Sequence, residues 1–180
     1  MICCQYEEDA KRIRIALAKR LEKYNLSLNA EKTKMVRFSK NDSKQGIKQE
    51  GFDFLGFTFY LGRTRAGAII PKIKSCGKRI RSKLKKVNDW CKGMRNRHEL
   101  QTIWKRFCIK LAGHIRYYGV SFNIRAVTNF VERAVHMMFK WLNRRSQRKS
   151  FTWDKFELYV QAHPLPKVKI WHSLIKPKAL

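Results

Sequence analysis

The amino-acid sequence predicts an α+β protein in which one helix and several short antiparallel strands precede an all-α bundle of three helices. Three observations carry this prediction. Apolar residues recur at helical spacing over residues 7–25, short aromatic and β-branched runs alternate with turn residues over 26–73, and three long apolar stripes follow. We therefore expect a boundary near residue 73, with an incomplete α+β piece at 1–73 and a helical domain at 74–180.

The first helix is predicted over residues 7–25. One of its faces carries apolar side chains at helical spacing, namely Ala10, Ile13, Leu17, Leu21 and Tyr24. Glu7, Glu8 and Asp9 fall in the first turn, where negative charge interacts favourably with the helix dipole. We therefore interpret these acids as a helix start rather than a catalytic cluster, and Asn25 as the helix end.

Residues 26–73 are predicted to form about four short strands. We expect these at residues 26–28, 34–39, 52–61 and 68–70. Polar turns are expected at residues 29–33 and 41–46, and the run from Gly62 to Gly67 predicts a hairpin loop. This set of strands is too small to close a sheet of its own.

Three helical patterns follow the strands, and each apolar stripe is wide enough to face a common core. The stripes are Cys76, Ile80, Leu84, Val87, Cys91 and Met94; then Leu100, Ile103, Trp104, Phe107, Cys108, Leu111, Ile115 and Tyr118; then Ile124, Val127, Val131, Ala134, Val135, Met138 and Leu142. A short fourth helix is predicted from Trp153 to Val160, with Thr152 as its N-cap and Pro164 and Pro166 beyond its end.

The charge of the chain indicates a polyanionic partner. It carries 41 Lys and Arg against 13 Asp and Glu, a formal net charge of +28, while 44% of its residues are hydrophobic and sufficient for a core. Between Lys72 and Arg116 there are fifteen basic residues and only two acids, Asp89 and Glu99. A folded basic surface of this kind is typical of nucleic-acid-binding proteins.

The candidate RNA-binding residues form two basic clusters, to which the neighbouring residues Arg116 and Tyr117 are added. On the first bundle helix the basic residues lie mainly off the apolar stripe, and they are Lys78, Arg79, Arg81, Lys83, Lys85 and Lys86. A merely solvated face usually mixes charge signs, so we favour a polyanion-binding surface. The second cluster is Arg144, Arg145, Arg148 and Lys149. Tyr117 lies off the apolar stripe of its helix, so its ring is open to stack on a base. Trp104 lies within that stripe, so we assign it to the core.

Several other classes of function are disfavoured. The five cysteines form no C-x-x-C pair and the five histidines are scattered, so we expect reduced, mostly buried thiols and no metal site. No apolar run approaches the roughly 18 residues that a membrane span needs. The first nine residues lack a basic n-region and turn acidic at once, so we expect no signal peptide, no membrane partner and a cytoplasmic location.

Several of these segments also resemble a known family. The turn from Leu28 to Thr33 and the strand that follows it resemble the late palm motif of group II intron reverse transcriptases. The run from Phe52 to Phe57 resembles their last palm motif, which leads into the thumb. The segments 115–119, 142–153 and 163–166 resemble their thumb, or maturase, domain. The resemblance covers nearly the whole chain, with Ala30 standing where the family usually has proline.

The resemblance implies that residues 1–73 are the C-terminal remnant of a reverse-transcriptase palm and that residues 74–180 are a thumb/maturase domain. Phe54, Leu55, Gly56 and Phe57 would match the primer-grip hairpin, where Gly56 permits a close backbone approach.

The same resemblance implies that the catalytic Tyr-Ala-Asp-Asp loop immediately precedes Met1. Two-metal chemistry needs adjacent carboxylates that share ions roughly 3.5–4 Å apart, and neither Asp42 nor Asp53 belongs to such a pair. We therefore expect no catalytic residue, no metal and no cofactor in this chain alone. Mg²⁺ is expected only for the intact polymerase.

The expected function is that of the C-terminal fragment of a group II intron reverse transcriptase and maturase. Its partners would be intron RNA and, in the intact enzyme, the template–primer duplex, and it would assist splicing and mobility. One alternative is the tail of a complete or split RNA-directed DNA polymerase, whose partner would be the missing N-terminal half. Another is a non-specific nucleic-acid-binding module. Membrane-surface binding fits less well, because the apolar stripes suit a mutual bundle.

Overall fold

The computed structural model describes residues 1–47, 49–145 and 152–174, which form six helices and one three-stranded sheet in the order β1-β2-β3. The elements are α1 (Glu7–Glu22), α2 (Lys40–Lys44), β1 (Phe52–Phe54), β2 (Phe57–Arg63), β3 (Ile69–Ser75), α3 (Gly77–Met94), α4 (Leu100–Tyr118), α5 (Ile124–Leu142) and α6 (Trp153–Ala162). The predicted α+β class is confirmed. None of the helices in the described ranges is long and apolar enough to cross a membrane.

The chain divides into two compact units that alternate along the sequence. The first comprises Met1–Glu50 and Arg63–Ile69, and the second comprises Gly51–Gly62 and Ile70–Leu180. Residues 51–62 and 70–75 belong to the same unit as the helices that follow them. Each unit therefore consists of two separate stretches of the sequence. The domain boundary near residue 73 stays a prediction.

The first unit has little apolar burial. Helix α1 begins at Glu7 as predicted but ends at Glu22, and the Lys11 ammonium lies 3.2 Å from Glu7 and 2.8 Å from Glu8. On its predicted apolar face Ala10, Leu17 and Leu21 are half-buried, while Ile13 and Tyr24 are exposed. No described residue of this unit is buried.

Two predicted strands in the first unit are wrong. Residues 26–28 and 34–39 belong to no strand, and a short helix, α2, lies where a polar turn was expected. The side chain of Ser39 caps that helix by accepting a hydrogen bond from the backbone N–H of Asp42. An extended apolar pattern needs a partner strand, and no described strand pairs with these residues.

A tight turn divides the single strand that was predicted at residues 52–61. β1 and β2 pair antiparallel with Phe54 opposite Phe57, so that Leu55 and Gly56 alone form the connection. Both residues have positive φ, 49° for Leu55 and 82° for Gly56, as a type I′ hairpin turn requires. The hairpin loop predicted from Gly62 to Gly67 is confirmed, since the Thr64 N–H donates to the Ala68 carbonyl at 2.8 Å between β2 and β3.

The second unit is built around the three predicted helices, in which α5 packs against both α3 and α4. The core contains Leu84 and Cys91 of α3, Phe107, Leu111 and Ile115 of α4, and Val127, Ala134, Met138 and Leu142 of α5. The apolar stripes therefore face a common core, as predicted. The fourth helix is also confirmed, because Phe156 of α6 enters the same core and the Thr152 side chain caps the helix at Lys155. Burial raises the pKa of the Cys91 thiol to about 12.

Candidate nucleic-acid interface

The six basic candidates on α3 form two rows along the helix, because residues three or four positions apart lie on the same face. The Lys83 row consists of Arg79, Lys83 and Lys86. The Arg81 row consists of Lys78, Arg81 and Lys85. Five of these side chains are exposed and Lys83 is half-buried. None of the six forms an ion pair with another residue in the described part of the chain, so their positive charges are uncompensated.

The N-terminal end of α3 meets the β1–β2 turn at a groove of about 450 Å³. Its lining includes Phe54, Leu55 and Gly56 from the turn and Lys78 and Arg79 from the helix. The structure therefore brings three of the four primer-grip-like residues together with two of the basic candidates. The fourth, Phe57, packs instead against the tyrosines that end α4, with ring centroids 5.7 Å and 5.0 Å away.

Hydrogen bonds hold the turn in place. The backbone carbonyl of Leu55 accepts a bond from the Tyr117 hydroxyl at 2.7 Å, and the carbonyl of Gly56 accepts one from the Cys76 N–H at 2.9 Å. A Cβ atom on Gly56 would lie 2.7 Å from the Tyr118 hydroxyl, so any other residue here would require Tyr118 or the turn to shift. The Leu55 side chain remains 68% exposed at the tip. An apolar side chain is thus presented beside the basic end of α3.

Lys83 lies at the middle of its row, against the end of α4. Its ammonium is 4.5 Å from the ring centroid of Tyr118 and 5.7 Å from that of Tyr117, within cation–π range. Burial lowers the pKa of Lys83, and the charge of Lys86 lowers it further. Tyr117 is 49% exposed, in agreement with its predicted position off the core stripe, while Trp104 is buried in the core.

The second basic cluster has a partly structural role. The Arg145 guanidinium donates to the backbone carbonyl of His98 at 3.1 Å, which ties the end of α5 to the loop between α3 and α4. Arg144 is exposed and lies 5.2 Å from the ring centroid of Trp141. Arg116 packs over the Trp171 ring at 5.1 Å. The candidates Arg148 and Lys149 lie outside the described residues.

Sequence reasoning missed three basic residues near Trp141, one of which is Lys140 of α5, with its ammonium 5.5 Å from the ring centroid. Lys92 and Arg95, at the end of α3, approach its ring at 6.0 Å and 5.0 Å, and so form a basic and aromatic cluster together with Arg144. The sequence already indicated a basic surface that includes Lys92, because Lys92 follows Lys85 by seven positions and therefore lies on the same helical face.

A buried asparagine, also missed, connects the sheet to the helices. The Asn123 side-chain oxygen accepts a bond from the Ser75 N–H at 2.7 Å, and its amide donates to the Tyr118 carbonyl at 2.8 Å. Asn123 is 1% exposed. It therefore fixes the end of β3 against the end of α4, the two segments that support the β1–β2 turn.

Within the described ranges, no group of three or more His, Cys, Asp or Glu side chains is arranged to hold a metal ion. Comparison with family models, with curated proteins and with solved structures gives no match to the chain. The resemblance to group II intron reverse transcriptases thus rests on the sequence motifs alone.

Proposed function

We propose that this chain binds RNA through α3, as the C-terminal part of a group II intron reverse transcriptase and maturase. One observation carries the proposal: the Lys83 row presents three uncompensated positive charges that begin at the groove beside the β1–β2 turn and continue along α3 past the exposed ring of Tyr117. A polyanion that follows this row neutralises the charges and releases counterions, which favours binding.

The length of the row suits a nucleic-acid backbone. Arg79 and Lys86 are seven positions apart, and at 1.5 Å rise per residue this corresponds to about 10 Å. One strand of B-form DNA carries one phosphate per roughly 3.4 Å of axis, and on this scale the row matches about three phosphates. Exposed Tyr117 adds a flat ring of the kind on which bases stack.

The groove at the end of the row favours binding over catalysis. Its one carboxylate, Asp53, accepts hydrogen bonds from the Thr58 hydroxyl and the Cys76 thiol. A single carboxylate that is already bonded supplies neither a metal pair nor a free general base. The turn beside it is consistent with the primer-grip role that the family resemblance implies.

The proposal is tested by measuring RNA affinity against salt concentration for a folded group II intron RNA and for an unrelated structured RNA of the same length. We expect the intron RNA to bind at least about tenfold more tightly at about 0.2 M KCl. Equal affinities would contradict the maturase function and leave a non-specific binding module.

Two triple variants test whether the RNA-binding site lies on the Lys83 row of α3. Replacing Arg79, Lys83 and Lys86 with Gln removes three charges from the Lys83 row, and the matched control replaces Lys78, Arg81 and Lys85 with Gln. We expect the Lys83-row variant to reduce the slope of log affinity against log salt by about 2, and the control by less than about 1. Equal losses in the two variants would contradict a defined site on the Lys83 row.

A further inference from the structure

The Lys83 row ends at a cavity of about 260 Å³ between α3 and α4. Three lysines line it, Lys83 and Lys86 from α3 and Lys110 from α4, and the Lys110 ammonium lies 5.3 Å from the ring centroid of Trp90. Since none of the three forms an ion pair within the described ranges, the cavity presents a local excess of positive charge.

Flat aromatic side chains form much of the cavity wall. The rings of Trp90 and Phe107 are nearly parallel, with centroids 6.4 Å apart, and Phe130 of α5 stacks on His114 at 3.6 Å. The volume is below the roughly 300–1,000 Å³ of sites that take drug-sized ligands. The cavity therefore suits one small, flat group.

His114 also lines the cavity and is a buried polar side chain within this apolar wall. It is only 7% exposed, and neither ring nitrogen has a hydrogen-bond partner in the described part of the chain, although buried polar groups are nearly always paired. Burial lowers the pKa of His114 to about 3, and the nearby charge of Lys83 contributes to the decrease. The ring is therefore neutral near pH 7 and carries one donor and one acceptor nitrogen.

We propose that this cavity takes a single unstacked nucleotide of the bound RNA, with its base between the aromatic walls and facing His114, and its phosphate on the three lysines. The inference rests on the proposed RNA-binding function and names the part of the RNA that the end of the Lys83 row recognises. A base supplies both a flat apolar face and a hydrogen-bonding edge, and its phosphate supplies the negative charge. These are the three properties that the cavity complements.

The test compares two RNA hairpins that differ at one position. One hairpin carries a single bulged nucleotide, and the other has an abasic ribose at the bulge, so that both present the same phosphates. We expect the full chain to bind the hairpin with the base about tenfold more tightly, because base stacking and hydrogen bonding are lost with the abasic site.

A variant at the cavity tests whether the preference for the hairpin with the base depends on this cavity. Gly113 lines the cavity, and a Cβ atom added there meets no atom within 4 Å, so a leucine at this position begins in open space at the cavity. The matched control is Gly93→Leu, at an exposed glycine of α3 with equally open surroundings. Leucine favours the helix over glycine at both positions. We expect Gly113→Leu to lose the tenfold preference while keeping its affinity for the abasic hairpin, and Gly93→Leu to keep both.

The contribution of His114 is measured with His114→Phe. Phenylalanine keeps the flat ring against Phe130 but has no nitrogen, so we expect the preference to fall from about tenfold to about threefold with an unchanged circular dichroism spectrum. An unchanged tenfold preference in this variant would remove His114 from the recognition of the base.

The possible failures are distinguishable. If the unmodified chain binds neither hairpin, the proposed RNA-binding function is wrong. If it binds both hairpins equally, RNA binding stands and the nucleotide cavity is wrong. If adenosine monophosphate alone saturates the chain as tightly as the bulged hairpin does, and Gly113→Leu abolishes this binding, the cavity is a site for free nucleotides and the assignment to an RNA strand is overturned.

Discussion

The hydroxyl of Tyr117 donates a hydrogen bond to the backbone carbonyl of Leu55 at 2.7 Å, across 62 positions of sequence. This bond joins the end of α4 to the β1–β2 turn, and the turn also accepts a bond from the N–H of Cys76, which precedes α3. Two segments of the helical unit therefore fix the turn. An exposed leucine is thereby held beside the basic end of α3.

We expect Tyr117→Phe to lower the free energy of unfolding of the second unit by about 1 kcal/mol, because one hydrogen bond to a backbone carbonyl is lost while the stack on Phe57 is kept. Urea unfolding followed by tryptophan fluorescence measures this. The readout is selective, since the five tryptophans all lie in the second unit. The control is Tyr24→Phe at an exposed tyrosine, with an expected change within about 0.5 kcal/mol. Equal changes in the two variants would contradict a stabilising bond.

A second prediction concerns the close approach at Gly56. Gly56→Ala places a Cβ atom 2.7 Å from the Tyr118 hydroxyl at a residue whose φ is 82°, so backbone strain and a steric clash add. We expect a loss of about 2–3 kcal/mol in the free energy of unfolding. Urea unfolding followed by far-UV circular dichroism gives the value.

Gly67→Ala is the matched control for this variant. Its φ is 80°, but an added Cβ atom meets nothing within 4 Å, so only the backbone strain of about 1 kcal/mol is expected. If Gly67→Ala costs as much as Gly56→Ala, contact with Tyr118 is not what requires glycine in the β1–β2 turn.

Asn123 is expected to be the most sensitive polar residue of the second unit. Asn123→Ala leaves the Ser75 N–H and the Tyr118 carbonyl without their side-chain partner in a buried position. Each buried group left unpaired costs about 1–3 kcal/mol, so we expect a loss of about 3 kcal/mol in total. Tryptophan-monitored urea unfolding checks this, with Asn96→Ala in the exposed α3–α4 loop as a control within about 0.5 kcal/mol. A loss below about 1 kcal/mol would show that the network is dispensable.

The helices of the second unit could be predicted because their signal is local and repeated. The apolar stripes of α3, α4 and α5 recur over 18 or 19 residues, and the Thr152 cap precedes its helix directly. The strands predicted at 26–28 and 34–39 failed for the opposite reason. A strand is completed by a partner, and a few extended apolar residues carry no information about whether one is present.

The residue types of the candidate site could be predicted from the sequence, whereas the positions of these residues in space were harder to predict. The basic residues of α3 were evident, but the Leu55–Gly56 turn was hidden in an unbroken aromatic run, and leucine seldom adopts a positive φ. His114 lies between Leu111 and Tyr118 at helical spacing, so its burial could have been predicted. That neither ring nitrogen has a partner within the described ranges could not be predicted, because this depends on the side chains that neighbouring helices place beside the ring.

The stability of the second unit should decrease on acidification through His114. The pKa of His114 is about 3 in the folded chain and near 6.5 when it is exposed, because burial and the adjacent Lys83 ammonium disfavour the charged ring. Between these values the unfolded state binds more protons, so stability is lost as the pH falls below about 6.5. From about pH 7.5 to about pH 5 this amounts to about 2 kcal/mol.

Urea unfolding at a series of pH values measures this effect as the difference between the unmodified chain and His114→Phe. We expect the unmodified chain to lose about 2 kcal/mol more than His114→Phe over that interval, because phenylalanine keeps the stack on Phe130 and cannot bind a proton. The control His136→Gln, at an exposed histidine, should keep the full pH dependence. Parallel pH profiles for the unmodified chain and His114→Phe would mean that His114 is accessible to protons in the folded state, which would also remove the basis for a neutral ring in the nucleotide cavity.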